Sequence, residues 1–175
     1  SSIRDGIELL TTGKPPESWK RQQRRFLSKL SASAVQSAVF NLCLAQRVGQ
    51  QSYSTAAFGD VVCRRGGIKP FAYAPDSDAE TTDLHPMGPM PGGKMIKASG
   101  DAKDIEQMMV ARLQLSDEDF ARKSKLTPGT RRKYLEFPRH GSAALQSDGN
   151  LQLKFELNAG AFATVLLAEI CGELI

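Results

Sequence analysis

Side chains able to hold phosphate are the densest chemical feature of this chain. Lys20-Arg21-Gln22-Gln23-Arg24-Arg25 is followed by Phe26, Leu27, Lys29 and Leu30, and further basic groups stand at 64–65, 122–125 and 131–133. Cations packed this closely suit contact with nucleic-acid phosphates. The run at 20–29 also reads as the solvated face of a helix start. Few aromatic residues accompany the cations, which favours folded RNA, read by shape and phosphates, over stacked single strands. Signatures of bond-making chemistry are missing. His85 and His140 lie in separate loops, and Cys43, Cys63 and Cys171 are too scattered for zinc spacing. The sequence has no Gly-x-Ser-x-Gly elbow and suggests no Cys/His pairing. The Pro- and Gly-rich run 86–93 lacks the Gly-Lys-Ser/Thr of a phosphate loop and reads as irregular structure. Carboxylates gather in acidic loops and at helix starts, where solvation and capping account for them.

The elements that must position these groups follow from periodicity. In the last stretch Leu151, Leu153, Phe155 and Leu157 alternate with Gln152, Lys154, Glu156 and Asn158, the pattern of a half-buried strand. Asn158-Ala159-Gly160 ends it, with Asn158 as a plausible cap, and Phe162, Val165, Leu166, Cys171 and Leu174 trace a helical stripe. Exposed amides at that helix start favour an anion. Upstream, Ile3, Ile7 and Leu10 predict a short helix ending at Gly13. Ser33 and Gln36 have capping-box spacing, so a core helix is expected over 31–48. Val61-Val62-Cys63 predicts a short strand, and 75–83 an acidic surface loop. A helix capped by Ser99 or Asp101 should carry Ile105, Met108, Met109 and Leu113, with the methionines as core filler. Ser116 should open another helix, and 130–138 is expected as a basic turn feeding a strand.

Length and composition set the outer bounds. The chain has 175 residues, 41% hydrophobic and 24% charged, ordinary for a globular protein of one large or two small domains. No apolar run reaches the roughly 18 residues of a membrane span, and the opening SSIRDGIELL lacks the pattern of a secretion signal. The cysteines read as reduced residues of an intracellular protein. A net charge of +4 permits a polyanionic partner without demanding one.

Four segments in one order resemble the TruD-type tRNA pseudouridine synthases. FLSKLSASAVQSAVFNLCLAQRV resembles that family's Ser-Ala-x-x-Ser-x-Leu-Phe-Asn helix, followed at the usual distance by Gly59-Asp60. GPMPG at 88–92 and GTRRKYLEFP at 129–138 resemble its Leu-Pro-Gly loop and Gly-x-Arg-Arg segment, and LKFELNAGAFATVLLAEI its closing strand, turn and helix. The resemblance implies an α+β fold: an antiparallel catalytic sheet with packed helices, plus an inserted α+β TRUD domain. On that basis 1–49 would be the helical part of the catalytic domain, 50–130 the insertion and 131–175 the return to the catalytic sheet.

The resemblance further implies isomerisation of uridine to pseudouridine in tRNA or a related structured RNA, with no cofactor and no metal. Gly160, Phe162 and Thr164 would form a wall of the active site. Arg131 and Arg132 would join the run Lys20, Arg21, Arg24 and Arg25 as phosphate contacts. The expected compartment is the cytoplasm, with nucleus or organelle as alternatives, and no membrane is involved. The family's catalytic aspartate, in Gly-Gln-Lys-Asp, and its Asn-x-Phe-Gly-x-Gln-Arg-Phe-Gly signature do not occur in this sequence. The match is therefore to the C-terminal half of a synthase, and a second chain or segment is implied as partner. Without it, the strand 151–157 should present an unpaired edge. Asn158 replaces the family proline, and Ala168 the family arginine of the terminal helix. The second departure motivates the alternative of a non-catalytic RNA-binding or assembly factor.

Overall fold

The computed structural model describes residues 2–75, 80–158 and 161–172. They fall into two compact units, Ser1–Leu135 and Glu136–Ile175. The expected boundaries at 49/50 and 130/131 are not where compactness divides the chain.

In the first unit, α1 (Ser2–Thr12) packs along α2 (Arg24–Gly49). The helix expected from residue 31 begins seven residues earlier, because its buried stripe of Ser28, Ser31, Ala32, Val35, Val39 and Cys43 runs back beneath the basic segment. Ser33 and Gln36 are therefore mid-helix, and Gln36 is no cap: it is buried and donates to the Pro91 carbonyl at 2.8 Å. Strands β1 (Val61–Arg64), β2 (Phe71–Ala72), β3 (Leu84–Met90) and β4 (Thr130–Lys133) form an antiparallel sheet in the order β2-β1-β3-β4. Between β3 and β4 lie α3 (Gly100–Arg112), with Ser99 at its cap position, and α4 (Asp117–Arg122), closed by a Ser116–Asp119 capping box. Leu10, Val35, Val39, Cys43, Met109, Val110, Leu115 and Phe120 make the main core. Met108, expected as filler beside Met109, faces solvent. Arg122 of α4 donates to the carbonyls of Leu10 and Thr11, covering the end of α1, whose own last turn carries no basic residue.

The Pro- and Gly-rich stretch read as irregular is instead β3, buried along its whole length. Its two halves pair on opposite sides: Leu84, His85 and Pro86 with β1, and Met87 to Met90 with β4. The Tyr134 amide donates to the Pro86 carbonyl at 3.2 Å, so that residue's backbone polar groups face the β4 side, away from the strand it pairs with. Alternation then turns the Pro89 nitrogen away from β4. Pro86 cannot return a bond to the Tyr134 carbonyl, a loss that falls just past the end of the β4 ladder, whereas the Pro89 nitrogen faces away from its partner strand. Gly88 between them is required for packing, because a Cβ there would lie 2.5 Å from the Tyr134 ring and 2.6 Å from the Phe40 ring. Gly88→Ala should cost about 1–3 kcal/mol by overpacking, read as a lower urea midpoint. An unchanged midpoint would mean the two rings are free to move.

The second unit is an antiparallel hairpin of β5 (Arg139–Leu145) and β6 (Leu151–Glu156), followed by α5 (Ala163–Cys171). The predicted alternation is present: Leu153, Phe155 and Leu157 are half-buried, while Gln152, Lys154 and Glu156 are exposed. The basic turn expected over 130–138 is in part strand β4, and the strand it leads to is β5. No described residue of this unit is buried, and Leu145, Leu151, Phe162, Val165 and Ile170 stand exposed. Among the described residues β6 pairs only with β5, which leaves one edge open.

Candidate nucleic-acid interface

Every basic residue of the 20–29 run is exposed. From Ser18 to Gly59 the sequence contains no aspartate or glutamate. Arg24 and Arg25 occupy the first turn of α2, where cations are unfavourable for the helix itself. The Arg24 Nε donates to the Trp19 carbonyl at 3.3 Å, and the buried Trp19 ties the segment to the unit. Among the described residues, no carboxylate forms an ion pair with Lys20, Arg21, Arg24, Arg25 or Lys29.

Arg131 and Arg132 are neighbours in β4 and therefore point to opposite faces of the sheet. The Arg131 side chain is fully enclosed. Its two terminal nitrogens grip the Glu106 carboxylate of α3 at 2.5 and 3.0 Å, and its Nε donates to the Ile96 carbonyl at 2.8 Å. Burial pushes the Glu106 carboxyl up from the ordinary range, against the pull of Arg131. Arg131, expected as a phosphate contact, thus holds α3 to the sheet. Arg132 is half-buried, its guanidinium 5.4 Å from the centre of the Phe40 ring.

Phe40 stacks on Tyr134 at 5.4 Å, and Arg47 lies 5.2 Å over the Tyr134 ring. Arg47 also pairs with the buried Asp60, whose other carboxylate oxygen accepts the Ala57 amide at 2.9 Å. Burial, reinforced by Glu106, pushes the Cys43 thiol up to about 12, so it stays protonated and inert at neutral pH. Burial likewise pushes the Tyr134 hydroxyl well above its usual value. Neither Arg47 nor Glu106 stands out in the sequence. The signal for them was faint: Arg47 stands alone near the end of an acid-free helix, and its partner lies in the next segment.

Of the expected active-site wall, Phe162 occupies the cap position of α5 and is 65% exposed, and Thr164, two residues later, is also exposed. Gly160 lies outside the described residues. Asn158 does not cap the helix: its side-chain amide donates to Glu136 at 2.9 Å, and the helix starts farther on. A cavity of about 410 Å³ in the first unit, lined by Pro89, Met95, Lys97, Lys103 and Gln107 among others, includes none of the expected site residues.

The family model for tRNA pseudouridine synthase D (TruD) matches residues 12–170. The chain belongs to the TruD family. It is 36% identical over 171 residues to the tRNA pseudouridine synthase D of Anaeromyxobacter sp. (strain Fw109-5), covering 94% of this chain and 48% of that protein. With the tRNA pseudouridine synthase D of Geobacter sp. (strain M21) it shares 31% identity over 150 residues, 82% of this chain and 37% of that one. A crystal structure assigned to tRNA pseudouridine synthase D from Methanosarcina mazei superposes with a TM-score of 0.63 at 25% identity, over 82% of this chain and 38% of that one. The chain thus spans about half the length of the curated relatives it matches. The mixed α+β fold with antiparallel sheets is that of a TruD protein.

The segments that resemble TruD proteins now have places. The Ser-Ala helix is the middle of α2, GPMPG is the end of β3 and the turn after it, and GTRRKYLEFP holds β4 and the junction of the two units. Among the described residues no three His, Cys, Asp or Glu side chains gather as metal ligands, and no helix is long and apolar enough to cross a membrane.

Proposed function

We propose that this chain is the RNA-gripping and pocket-wall part of a pseudouridine synthase acting on tRNA or a similarly structured RNA inside the cell. The observation that carries the reading is the family match across residues 12–170. The exposed, acid-free basic run beginning at Lys20 supports it. Unit Ser1–Leu135 takes the gripping role as a whole, including residues 1–49, because α2 shares its core with α3 and lies against β3. Unit Glu136–Ile175 supplies the wall. Phe162 presents an exposed ring for the extruded uracil, with Thr164 two residues after it and Gly160 two residues before it in the sequence.

In this reaction the bond from C1′ to N1 of uridine breaks, the base turns, and a bond from C1′ to C5 forms. C5 loses its proton as N1 gains one, so no oxidant or reductant is needed. The target nucleotide must first leave its stack, a cost of about a few kcal/mol offset by contacts with the protein. The aspartate of Gly-Gln-Lys-Asp, which attacks or deprotonates at the uridine, would be supplied by the partner segment, since that motif does not occur in these 175 residues. That segment is also the fitting cover for the second unit, whose exposed apolar residues and open β6 edge suit a further strand.

The test combines this chain with the polypeptide that carries Gly-Gln-Lys-Asp and a tRNA transcript, and detects pseudouridine by mass spectrometry after cyanoethylation. Product should form only with both polypeptides present and vanish when that aspartate becomes asparagine. RNA binding without product would establish the alternative of a non-catalytic RNA-binding factor, which Ala168 at the family's arginine position favours.

A further inference from the structure

Phe26 stands two residues into α2 and is 67% exposed; Leu30, one turn farther along, is 45% exposed. An isolated surface phenylalanine needs no explanation. This one is flanked by Arg24, Arg25 and Lys29 in a stretch with no acidic residue, and among the described residues none of these cations forms an ion pair, so they are available to a polyanion. A phenyl ring has no donor or acceptor with which to read the edge of a base pair. Its flat face suits stacking, and every unpaired base offers a π-face.

We propose that Phe26 is a stacking platform for one unpaired base of the bound RNA, with Leu30 extending the apolar surface and Arg25 and Lys29 holding the flanking phosphates. The contact rests on the RNA-binding reading above and adds to it a recognition mode: the α2 start selects a loop or bulge rather than uniform duplex. Few aromatics in the sequence argued against stacked strands in general; a single exposed ring placed among cations is a local exception.

The test uses the whole 175-residue chain and a fluorescently labelled tRNA transcript, with affinity measured over a range of salt concentrations. Phe26→Ala should weaken binding about 10-fold with an unchanged salt dependence, since no charge is removed. Phe26→Trp should bind as tightly as the parent chain. Arg25→Ala/Lys29→Ala should weaken binding and lower the log–log salt slope by about 1.5. Because Phe26 and Lys29 are exposed, all variants should keep the parent melting curve. If Phe26→Ala binds like the parent while the double variant is weakened, stacking is overturned and the RNA-binding reading survives. Equal losses for the alanine and tryptophan variants would also overturn stacking. If no variant loses affinity, this face meets something other than RNA, and the proposal falls together with the assignment of the basic run.

Discussion

Replacing Arg131 by alanine should destabilise the chain by about 3–5 kcal/mol, the range for removing one partner of a buried ion pair. The loss comes mainly from what remains. Glu106 would keep its enclosed carboxylate without the two nitrogens at 2.5 and 3.0 Å, and the Ile96 carbonyl would lose its donor. The variant should also acquire a distinctive pH dependence. Burial already raises the Glu106 carboxyl above its ordinary value of 4.5, and loss of Arg131 removes the strongest opposing influence. A carboxyl whose folded value exceeds its unfolded one binds its proton more tightly when folded. Its stabilising contribution is full below 4.5 and disappears as pH rises through the folded value. Relative to the parent chain, Arg131→Ala should therefore look least damaged in acid and worst at neutral pH. Arg131→Met/Glu106→Leu, which empties the site of charge, should recover part of the loss. Urea midpoints followed by far-UV circular dichroism at several pH values measure all of this. A loss under about 1 kcal/mol, accompanied by weaker RNA binding, would return Arg131 to the role of a phosphate contact.

The second large effect concerns binding alone. Reversing four charges, Lys20→Glu, Arg21→Glu, Arg24→Glu and Arg25→Glu together, should reduce affinity for a tRNA transcript by more than about 100-fold at low salt. The salt slope should fall by about 3, since each phosphate no longer neutralised removes roughly 0.7–0.9. Folding should suffer little: the Arg24 bond to the Trp19 carbonyl is lost, and the change of charge at the helix start offsets it. These side chains are exposed and carry no ion pairs among the described residues. Acids in the first turn of α2 complement the helix dipole, where Arg24 and Arg25 oppose it. Stability should stay level or rise by about a few tenths of a kcal/mol while binding collapses. That opposition is what separates a binding surface from a merely solvated helix start. Unchanged affinity in the quadruple variant would decide for the solvated face.

What the sequence determined by itself was much of what is encoded within about one helical turn or one strand. Ile3, Ile7 and Leu10 placed α1, and the Gly13 stop is real. Ser99 and Ser116 marked the starts of α3 and α4, and strict alternation marked β6. The segments that carried the family resemblance were readable for the same reason, as contiguous strings with their order preserved. Tertiary structure decided the rest, because the deciding partners are remote in sequence. Pro86, Gly88 and Pro89 argue against a strand until β1 and β4 are seen to pair with opposite halves of it. The polar run before residue 31 hides the buried stripe that carries α2 back to Arg24. Arg131 and Arg132 are alike in sequence, yet strand geometry turns one into a closed site with Glu106, 25 residues away, and lays the other over Phe40. Local propensity spans a few residues; an ion pair or a ladder is settled only when distant segments arrive in register.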